Sequence, residues 1–442
     1  MTLTAKTDER IARMLGASDS AVRLAAEVRE EIAPAIDRIE AICRENTARV
    51  MTAMATVGLS DFHFGGTLGY GYDDTGRDAL EKAFALVFGA ESALVRVQFV
   101  SGTHALASVL LGVLHRGDLL VSAYGEPYDT MRTVIGTSGA APAAGSLVDM
   151  GVRYREVEPT PEGRPDLDAI ACAAVEARMV LVQRSRGYSW RRPLSIDDIR
   201  AIASTVAAAA PNAIVFVDNC YGEFTDVVEP TAVGAHVAAG SLIKNPGGGI
   251  APSGGYVVGR SDLVEAAASR LTAPGLGSHM GPTLGMTRLL AQGLFLAPRI
   301  TAEALAGSVF ASAFLRRLGY EVSPVPDEQR NDIVLCVRLG SPERVQAFCR
   351  AVQGASPVDA GVVPVAGDMP GYSDKVIMAA GAFVQGSSIE LSADAPLRSP
   401  YDVYLQGGLI RHQVEFAMLR YATWLEREEG GGLRCKSGSS GS

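Results

Sequence analysis

The sequence predicts an α/β protein built on a mostly parallel β-sheet that is covered by helices on both faces. From about residue 79 the chain alternates helical segments with short apolar runs, at 93–100, 118–122, 179–183, 213–218 and 255–258. These runs are continuously apolar, as strands are when both faces of the sheet are buried. Helical segments between them, such as 196–210, supply the right-handed crossovers that parallel strands need.

Length and composition indicate more than one domain. A globular chain of 442 residues, 48% of them apolar and 20% charged, is too long for one compact core. We divide it into N-terminal helices with an interface arm (1–78), a large domain (79–300), a small C-terminal α+β domain (301–430) and a disordered tail (431–442).

The flanking regions have their own patterns. Residues 18–54 predict two amphipathic helices, with Ser18 as a candidate N-cap and Pro34 as a break. Residues 60–78, rich in glycine and tyrosine, predict an ordered loop or arm. After residue 300 we expect a helix at 301–318, a strand at 332–337, a helix at 341–354 and a strand at 388–392.

Charge and cysteine usage exclude several classes of protein. A formal net charge of −9, without a dense basic stripe, argues against a nucleic-acid partner. The six cysteines are scattered and the histidines share no metal spacing, so we expect neither disulfides nor a metal site. We expect no signal peptide, and no apolar stretch of the roughly 20 residues that span a bilayer. We therefore expect a cytoplasmic protein.

Two residues suggest covalent chemistry with a ring-shaped ligand. Lys244 follows the apolar run 237–243 and precedes a glycine-rich turn. Burial would lower its pKa and make it a Schiff-base nucleophile, whereas the alternative is a lysine that reaches solvent from a strand end. Asp218 ends a predicted strand, where it could keep a pyridine nitrogen protonated or simply cap a helix. The glycines after Lys244 would let the backbone approach a planar ligand closely.

Other strand ends carry candidate ligand groups. Ser101-Gly102-Thr103 opens a predicted helix, and forms either an anion site or an ordinary capped turn. Tyr128 could stack on a flat ring, or be an unremarkable tyrosine in a turn. Arg184 and Arg186 suggest carboxylate or phosphate recognition, and the alternative is surface arginine. His104, in the first of these turns, could have a capping or packing role, and the resemblance described next implies instead a role near the ring.

These motifs resemble a known family. The segments SGTHA (101–105), PYDT (127–130), QRSRGY (183–188), VDNCYGEF (217–224) and GSLIKNPGGG (240–249) look like those of the fold-type I pyridoxal-5′-phosphate (PLP) enzymes. More specifically, they resemble the methionine γ-lyase or aluminium-resistance group of the cystathionine β/γ-lyase superfamily. The resemblance runs from about residue 62 to 421, and includes GYGYDDTGRDALE (69–81), DMPGY (368–372) and SIELSAD (388–394).

The resemblance implies a role for each matched residue. Lys244 would hold PLP covalently and then move protons on the substrate, and Tyr128 would stack on the ring. Asp218 would pair with the ring nitrogen. The phosphate would be held by small residues of two turns: Ser101, Gly102, Thr103 and Ser241. Tyr70 or Tyr72, on the arm, would reach the cofactor of a neighbouring subunit in a homodimer or homotetramer.

One departure from the superfamily concerns the substrate carboxylate. The wider superfamily binds it through an arginine in a pattern like R-L-S, and this chain has Glu390-Leu391-Ser392 there. A buried carboxylate needs a cationic partner, so we assign Arg398 to this role, with Arg186 second.

The activity implied is a PLP-dependent β- or γ-elimination that cleaves a carbon–sulfur bond of an L-amino acid. Cystathionine, methionine and γ-substituted analogues are the expected substrates. The alternatives are a biosynthetic γ-elimination of halide from an unsaturated amino acid, an aminotransferase or decarboxylase on the same fold, and a PLP-bound protein without turnover.

Overall fold

The chain divides into two compact units that do not follow chain order. The computed structural model describes residues 3–368 and 374–429, so the predicted tail and most of the DMPGY motif lie outside the described residues. One unit is Ile42–Arg299, and the other combines Met1–Ala41 with Ile300–Ser442. The α-helices are α1 Leu3–Leu15, α2 Asp19–Glu31, α3 Ala33–Thr56, α4 Thr75–Phe88, α5 Gly102–Val113, α6 Asp129–Ile135, α7 Leu167–Ala174, α8 Ile196–Ala209, α9 Ser261–Leu271, α10 Thr287–Arg317, α11 Pro342–Gly354 and α12 Arg411–Glu429.

The larger unit contains a seven-stranded sheet in the order β1-β7-β6-β5-β4-β2-β3. Its strands are β1 Ser92–Arg96, β2 Leu119–Ser122, β3 Arg153–Glu156, β4 Met179–Gln183, β5 Ile214–Asp218, β6 Val237–Ser241 and β7 Gly255–Gly259. Strands β3, β2, β4, β5 and β6 pair in parallel, whereas β7 pairs antiparallel to both β6 and β1. This confirms the predicted mostly parallel α/β sheet.

Both faces of this sheet are covered. Along β4, Val180 and Val182 contribute to one buried apolar cluster, whereas Met179 and Leu181 contribute to another on the opposite face. Successive side chains of a strand point to opposite faces, so one fully apolar strand supplies both cores. The continuous apolar runs of the sequence have this cause.

The smaller unit contains a five-stranded antiparallel sheet in the order β10-β11-β12-β9-β8. Its strands are β8 Glu321–Ser323, β9 Val334–Arg338, β10 Val376–Ala380, β11 Ser392–Pro396 and β12 Asp402–Gln406. Helix α11 contacts β10 and β11, and α12 contacts α11 and α2. The predicted α+β character of this region is confirmed.

The strand predicted at 388–392 is wrong. The strand begins only at Ser392, and the preceding residues are buried without joining a ladder. Glu390 accepts hydrogen bonds from the backbone amides of Phe383 and Val384, and the carbonyl of Ile389 accepts one from Gly408. These backbone and side-chain groups therefore stabilise a turn rather than a strand.

Two helix predictions are also refined. Ser18 caps α2 as expected, and Pro34 lies in the first turn of α3, where its missing N–H removes no helical hydrogen bond. The helix predicted at 301–318 begins earlier, at Thr287, and accommodates Pro298 in its interior. By length and composition α10 could cross a membrane, contrary to our expectation, but 78% of its apolar window is buried inside the protein. It is a core helix of the described structure.

Candidate active site

Lys244 lies three residues beyond the end of β6, in the larger unit. It is half-buried and leads into a short turn, Asn245–Gly247, where Asn245 is fully buried. A side chain at Gly247 would overlap the carbonyl oxygen of Leu242. The prediction that these glycines allow a ligand to approach closely is therefore wrong for Gly247, because Gly247 packs against the backbone of the protein itself.

Asp218 is the last residue of β5. Its register partners are Gln183 on β4 and Ala239 on β6. The carboxylate is 5% exposed and accepts a hydrogen bond from the backbone amide of Cys220 at 3.1 Å. Burial raises the pKa of Asp218, while the charge of Lys244 opposes that rise. The two residues are thus close enough to interact electrostatically.

The electrostatics of Lys244 differ from the prediction. Burial lowers its pKa, as expected, but four nearby groups raise the pKa more, and the net pKa lies well above the usual value. These groups are Cys220, Tyr221, Tyr128 and Asp218. The expected fall in the pKa of Lys244 is therefore wrong, and the side chain is an ammonium at neutral pH.

The SGT turn lies beside Ser241. Ser101 is the N-cap of α5, and its hydroxyl accepts a hydrogen bond from the amide of His104 at 3.1 Å. A methyl group at Gly102 would lie 3.0 Å from Cβ of Ser241 and 3.5 Å from Sγ of Cys220. The structure therefore brings Ser101, Gly102, Thr103 and Ser241 together. The first-turn amides of a helix have no intrahelical partner, which makes this cluster suited to an anion.

Tyr128 connects the SGT turn to the strand ends. Its hydroxyl lies 3.0 Å from Oγ1 of Thr103, and its backbone amide donates to Oε1 of Gln183 at 2.8 Å. Burial raises the pKa of the Tyr128 phenol, and the nearby charge of Asp218 adds to that rise, so the phenol is neutral at physiological pH. Gln183 holds the backbone at Tyr128 in place, a role that the sequence did not suggest.

The arginine candidates have different surroundings. Arg184 is fully buried and donates to Asn219 at 2.8 Å and to Thr225 at 3.0 Å, while Glu229 lies 3.7 Å away. The prediction of a ligand-binding or surface role for Arg184 is therefore wrong, because its guanidinium is used inside the protein. Arg186 is also buried, at 1% exposure.

Arg398 and Glu390 lie in the smaller unit. Arg398 is exposed and forms an ion pair with Asp374 at 3.3 Å. Glu390 is buried and accepts the two backbone hydrogen bonds from the 383–384 turn described above. Glu390 thus stabilises a turn.

The arm residues Tyr70 and Tyr72 are exposed, at 68% and 57%, with ring centroids 5.7 Å apart. Asp74 stabilises the arm, because it accepts hydrogen bonds from the hydroxyl of Thr283, at 2.8 Å, and from the hydroxyl of Thr67. Arg77 donates to the carbonyl oxygen of Gly71 at 2.6 Å. The predicted loop is therefore ordered, and presents two aromatic rings to solvent.

His104 has a local structural role. Its Nδ1 accepts a hydrogen bond from the amide of Val100 at 3.3 Å, and its ring packs edge-on against Phe99. Of the two alternatives for His104, the capping and packing role is therefore the one that its contacts support.

Three site residues were missed from the sequence. The ring of Tyr221 lies 4.0 Å from Nζ of Lys244, and Asn245 donates to the carbonyl oxygens of Tyr221 and Glu223 at 3.1 and 3.0 Å. Glu223 in turn accepts a 2.7 Å hydrogen bond from the hydroxyl of Tyr256. The only sequence signal was that all three flank Asp218 or Lys244.

The fold and the grouping of residues define a class of protein. A mostly parallel sheet with a lysine, a buried aspartate and a capped helix N-terminus at the ends of its strands is the arrangement of fold-type I PLP enzymes. The PLP-dependent protein YhfS of Escherichia coli has a similar fold, with a TM-score of 0.57 over 86% of this chain and 95% of that chain at 19% identity.

The chain belongs to the methionine gamma-lyase family, whose sequence profile matches residues 21–425. It is 46% identical to the protein YnbB of Bacillus subtilis over 397 residues, which are 90% of this chain and 94% of YnbB. A carbon–sulfur lyase involved in aluminium resistance from Clostridium novyi is 42% identical in sequence. Its crystal structure has a TM-score of 0.91, covering 96% of this chain and 100% of that chain. These findings confirm the resemblance seen in the sequence.

Proposed function

We propose that this protein is a PLP-dependent carbon–sulfur lyase that acts on an L-amino acid. The observation that carries the proposal is the grouping of Lys244, Asp218 and the SGT turn in a chain of this family. Strands β5 and β6, which lead to Asp218 and Lys244, are paired, and Gly102 of the turn lies against Ser241 at the end of β6. The Clostridium novyi relative is itself described as a carbon–sulfur lyase.

The residues present fit the cofactor. A buried carboxylate such as Asp218 requires a cationic partner, and a protonated ring nitrogen supplies one. Gly102 lies so close to Ser241 that a methyl group there would be 3.0 Å from Cβ of Ser241, and the N-terminus of α5 at this point is suited to a phosphate. In the proposal Ser101, Gly102, Thr103 and Ser241 would hold the phosphate, and Tyr128 would lie against the ring.

The chemistry divides between cofactor and protein. Bound PLP supplies an electron sink for the charge that develops at the substrate Cα. Nζ of Lys244 holds the cofactor and later accepts the Cα proton. The neutral phenol of Tyr128 orients groups beside it and stays protonated, since its pKa is raised. For a γ-leaving group Lys244 must also take a proton from Cβ, which requires a base close to both carbons.

Substrate and assembly complete the proposal. We assign cystathionine, methionine or a γ-substituted analogue as substrate, with its carboxylate bound by Arg398 or, second, Arg186. The exposed rings of Tyr70 and Tyr72 support an arm that reaches a neighbouring subunit in a homodimer or homotetramer. We place the enzyme in the cytoplasm, where cysteine thiols such as those of Cys172, Cys220 and Cys349 stay reduced.

Absorbance spectroscopy and product analysis test this proposal. The protein with PLP should show the visible absorbance of a lysine-bound cofactor, and Lys244→Ala should abolish it. Incubation with L-cystathionine, L-methionine and γ-halo amino acids should yield keto acid and ammonia together with thiol, or with halide if the leaving group is halide. Visible absorbance that survives in Lys244→Ala would refute the site, and binding of PLP without any product would refute the enzyme.

A further inference from the structure

Tyr221 has a backbone conformation that is unusual for an aromatic residue. Its φ is +71°, in the left-handed region that bulky side chains rarely adopt. Two neighbours pack against this segment. Asn245 donates to the carbonyl oxygen of Tyr221 at 3.1 Å, and Arg184 lies so close to the next residue, Gly222, that a side chain there would clash with its guanidinium. A strained residue that its surroundings hold in place suggests a function for that residue.

The result of this conformation is the position of the ring. Nζ of Lys244 lies 4.0 Å from the centroid of the Tyr221 ring, well inside the range of a cation–π interaction. Asn245, the residue after Lys244, donates to the carbonyl oxygen of Tyr221 and also to that of Glu223, at 3.0 Å. The same short segment thus positions both the amine and the ring face beneath it.

We propose that Tyr221 is a positioning residue whose ring holds the ammonium form of Lys244 whenever that side chain is not attached to the cofactor. The inference rests on the proposed function. When the amine lone pair takes the Cα proton of the substrate, the C–H electron pair forms the Cα–Cβ double bond and the Cβ–S pair leaves with sulfur. The proton is then held on Nζ over the ring until it is returned to the departing thiolate.

Other groups around Lys244 contribute to the same charge balance. Asp218, Cys220 and Tyr128, like Tyr221, lie close enough to the amine to influence its pKa. Cys220 and Tyr128 have pKa values raised by burial, and are neutral at physiological pH. Asp218 is therefore the carboxyl group that interacts with the ammonium, and the ring of Tyr221 contacts the same ammonium.

The rate of cofactor capture measures this effect without relying on turnover. Only the neutral amine of Lys244 captures PLP, so the rate at which the full chain, freed of cofactor and mixed with PLP, regains visible absorbance follows deprotonation of Nζ. Three variants separate the possible contributions. Tyr221→Phe keeps the ring, Tyr221→Leu removes it, and Tyr221→Gly removes it while relieving the left-handed strain.

The expected result is a shift in the pH profile of capture. Loss of a desolvated cation–π contact should move the midpoint to lower pH by about one unit in Tyr221→Leu and Tyr221→Gly, so that capture below the midpoint is about tenfold faster. Tyr221→Phe should stay close to the wild type. Unchanged midpoints in Leu and Gly, or an equal shift in Phe, would overturn the inference.

The design distinguishes this failure from failure of the proposed function. If the wild-type chain never acquires visible absorbance, or if Lys244→Ala acquires it, the assignment of the cofactor lysine is wrong. If wild type and Lys244→Ala behave as expected while the ring variants follow the wild-type profile, only the role of Tyr221 is wrong. Should Tyr221→Leu fold poorly, Tyr221→Gly still tests the inference, because glycine suits the left-handed conformation.

Discussion

Replacing Glu223 by glutamine should change how the stability of the protein depends on pH. Glu223 is fully buried, and the hydroxyl of Tyr256 donates to it at 2.7 Å. The same hydroxyl accepts a hydrogen bond from Asn219 at 3.3 Å. Burial raises the pKa of Glu223 from 4.5 to about 8, although the hydrogen bond from Tyr256 opposes the rise. The folded protein therefore keeps this carboxyl protonated at neutral pH.

The sign of the effect follows from proton linkage. Below a pH of about 4.5 both the folded and the unfolded states hold the proton, and the stabilising contribution is fully present. As the pH rises the unfolded chain ionises first, so the free energy of unfolding falls until the folded state also ionises near pH 8. The difference of 8 − 4.5 = 3.5 pKa units corresponds to about 5 kcal/mol at about 1.36 kcal/mol per unit.

Glutamine preserves the shape of Glu223 and the acceptor for Tyr256, but it does not titrate. Urea unfolding of wild type and Glu223→Gln between about pH 5 and about pH 9 should therefore give curves that diverge as the pH rises, with the variant gaining up to about 5 kcal/mol relative to wild type. Subtracting the two profiles removes the titration of all other groups. Parallel profiles would show that Glu223 is ionised in the folded protein and that this reasoning is wrong.

Two further predictions concern ligand binding. Gly102→Ala places a methyl group 3.0 Å from Cβ of Ser241 and 3.5 Å from Sγ of Cys220, so the SGT turn must shift. The affinity for PLP, measured by equilibrium dialysis, should then fall at least tenfold. An unchanged affinity would show that the SGT turn is not part of the phosphate site. Arg398→Gln should raise KM for L-cystathionine about tenfold or more, because one charge-assisted hydrogen bond to the substrate carboxylate is lost. If KM rises only in Arg186→Gln, the carboxylate is bound by Arg186 instead.

The strands of the large sheet could be predicted from the sequence because burial on both faces produces uninterrupted apolar runs. Strand β3, Arg153–Glu156, was not predicted. It lies at the edge of the sheet and its side chains are largely exposed, so its sequence is not an apolar run. Strand β6, rich in alanine and glycine, is not among the apolar runs that predict the sheet and entered only as the run before Lys244, since its small side chains give a weak pattern.

The candidate site shows the same limit. Lys244, Asp218 and the SGT turn stand at strand ends, and the topology of parallel sheets brings such ends together. The partners of Arg184 come from the loop after β5, and the left-handed conformation of Tyr221 depends on Asn245, more than 20 residues later in the chain. Contacts of this kind depend on how loops fold back, which periodicity and residue type do not encode.

The division of the chain also constrains the order in which the protein can be made. The first 41 residues belong to a unit whose remaining residues begin at position 300, and the ion pair between Arg29 and Glu415 joins positions 386 residues apart. During synthesis the unit formed by Ile42–Arg299 is complete first. Helices α1 and α2 must then wait, with apolar faces exposed, until the ribosome has released nearly the whole chain. Their charged surfaces, with Arg29 and neighbouring glutamates, serve solubility during that interval as much as stability afterwards.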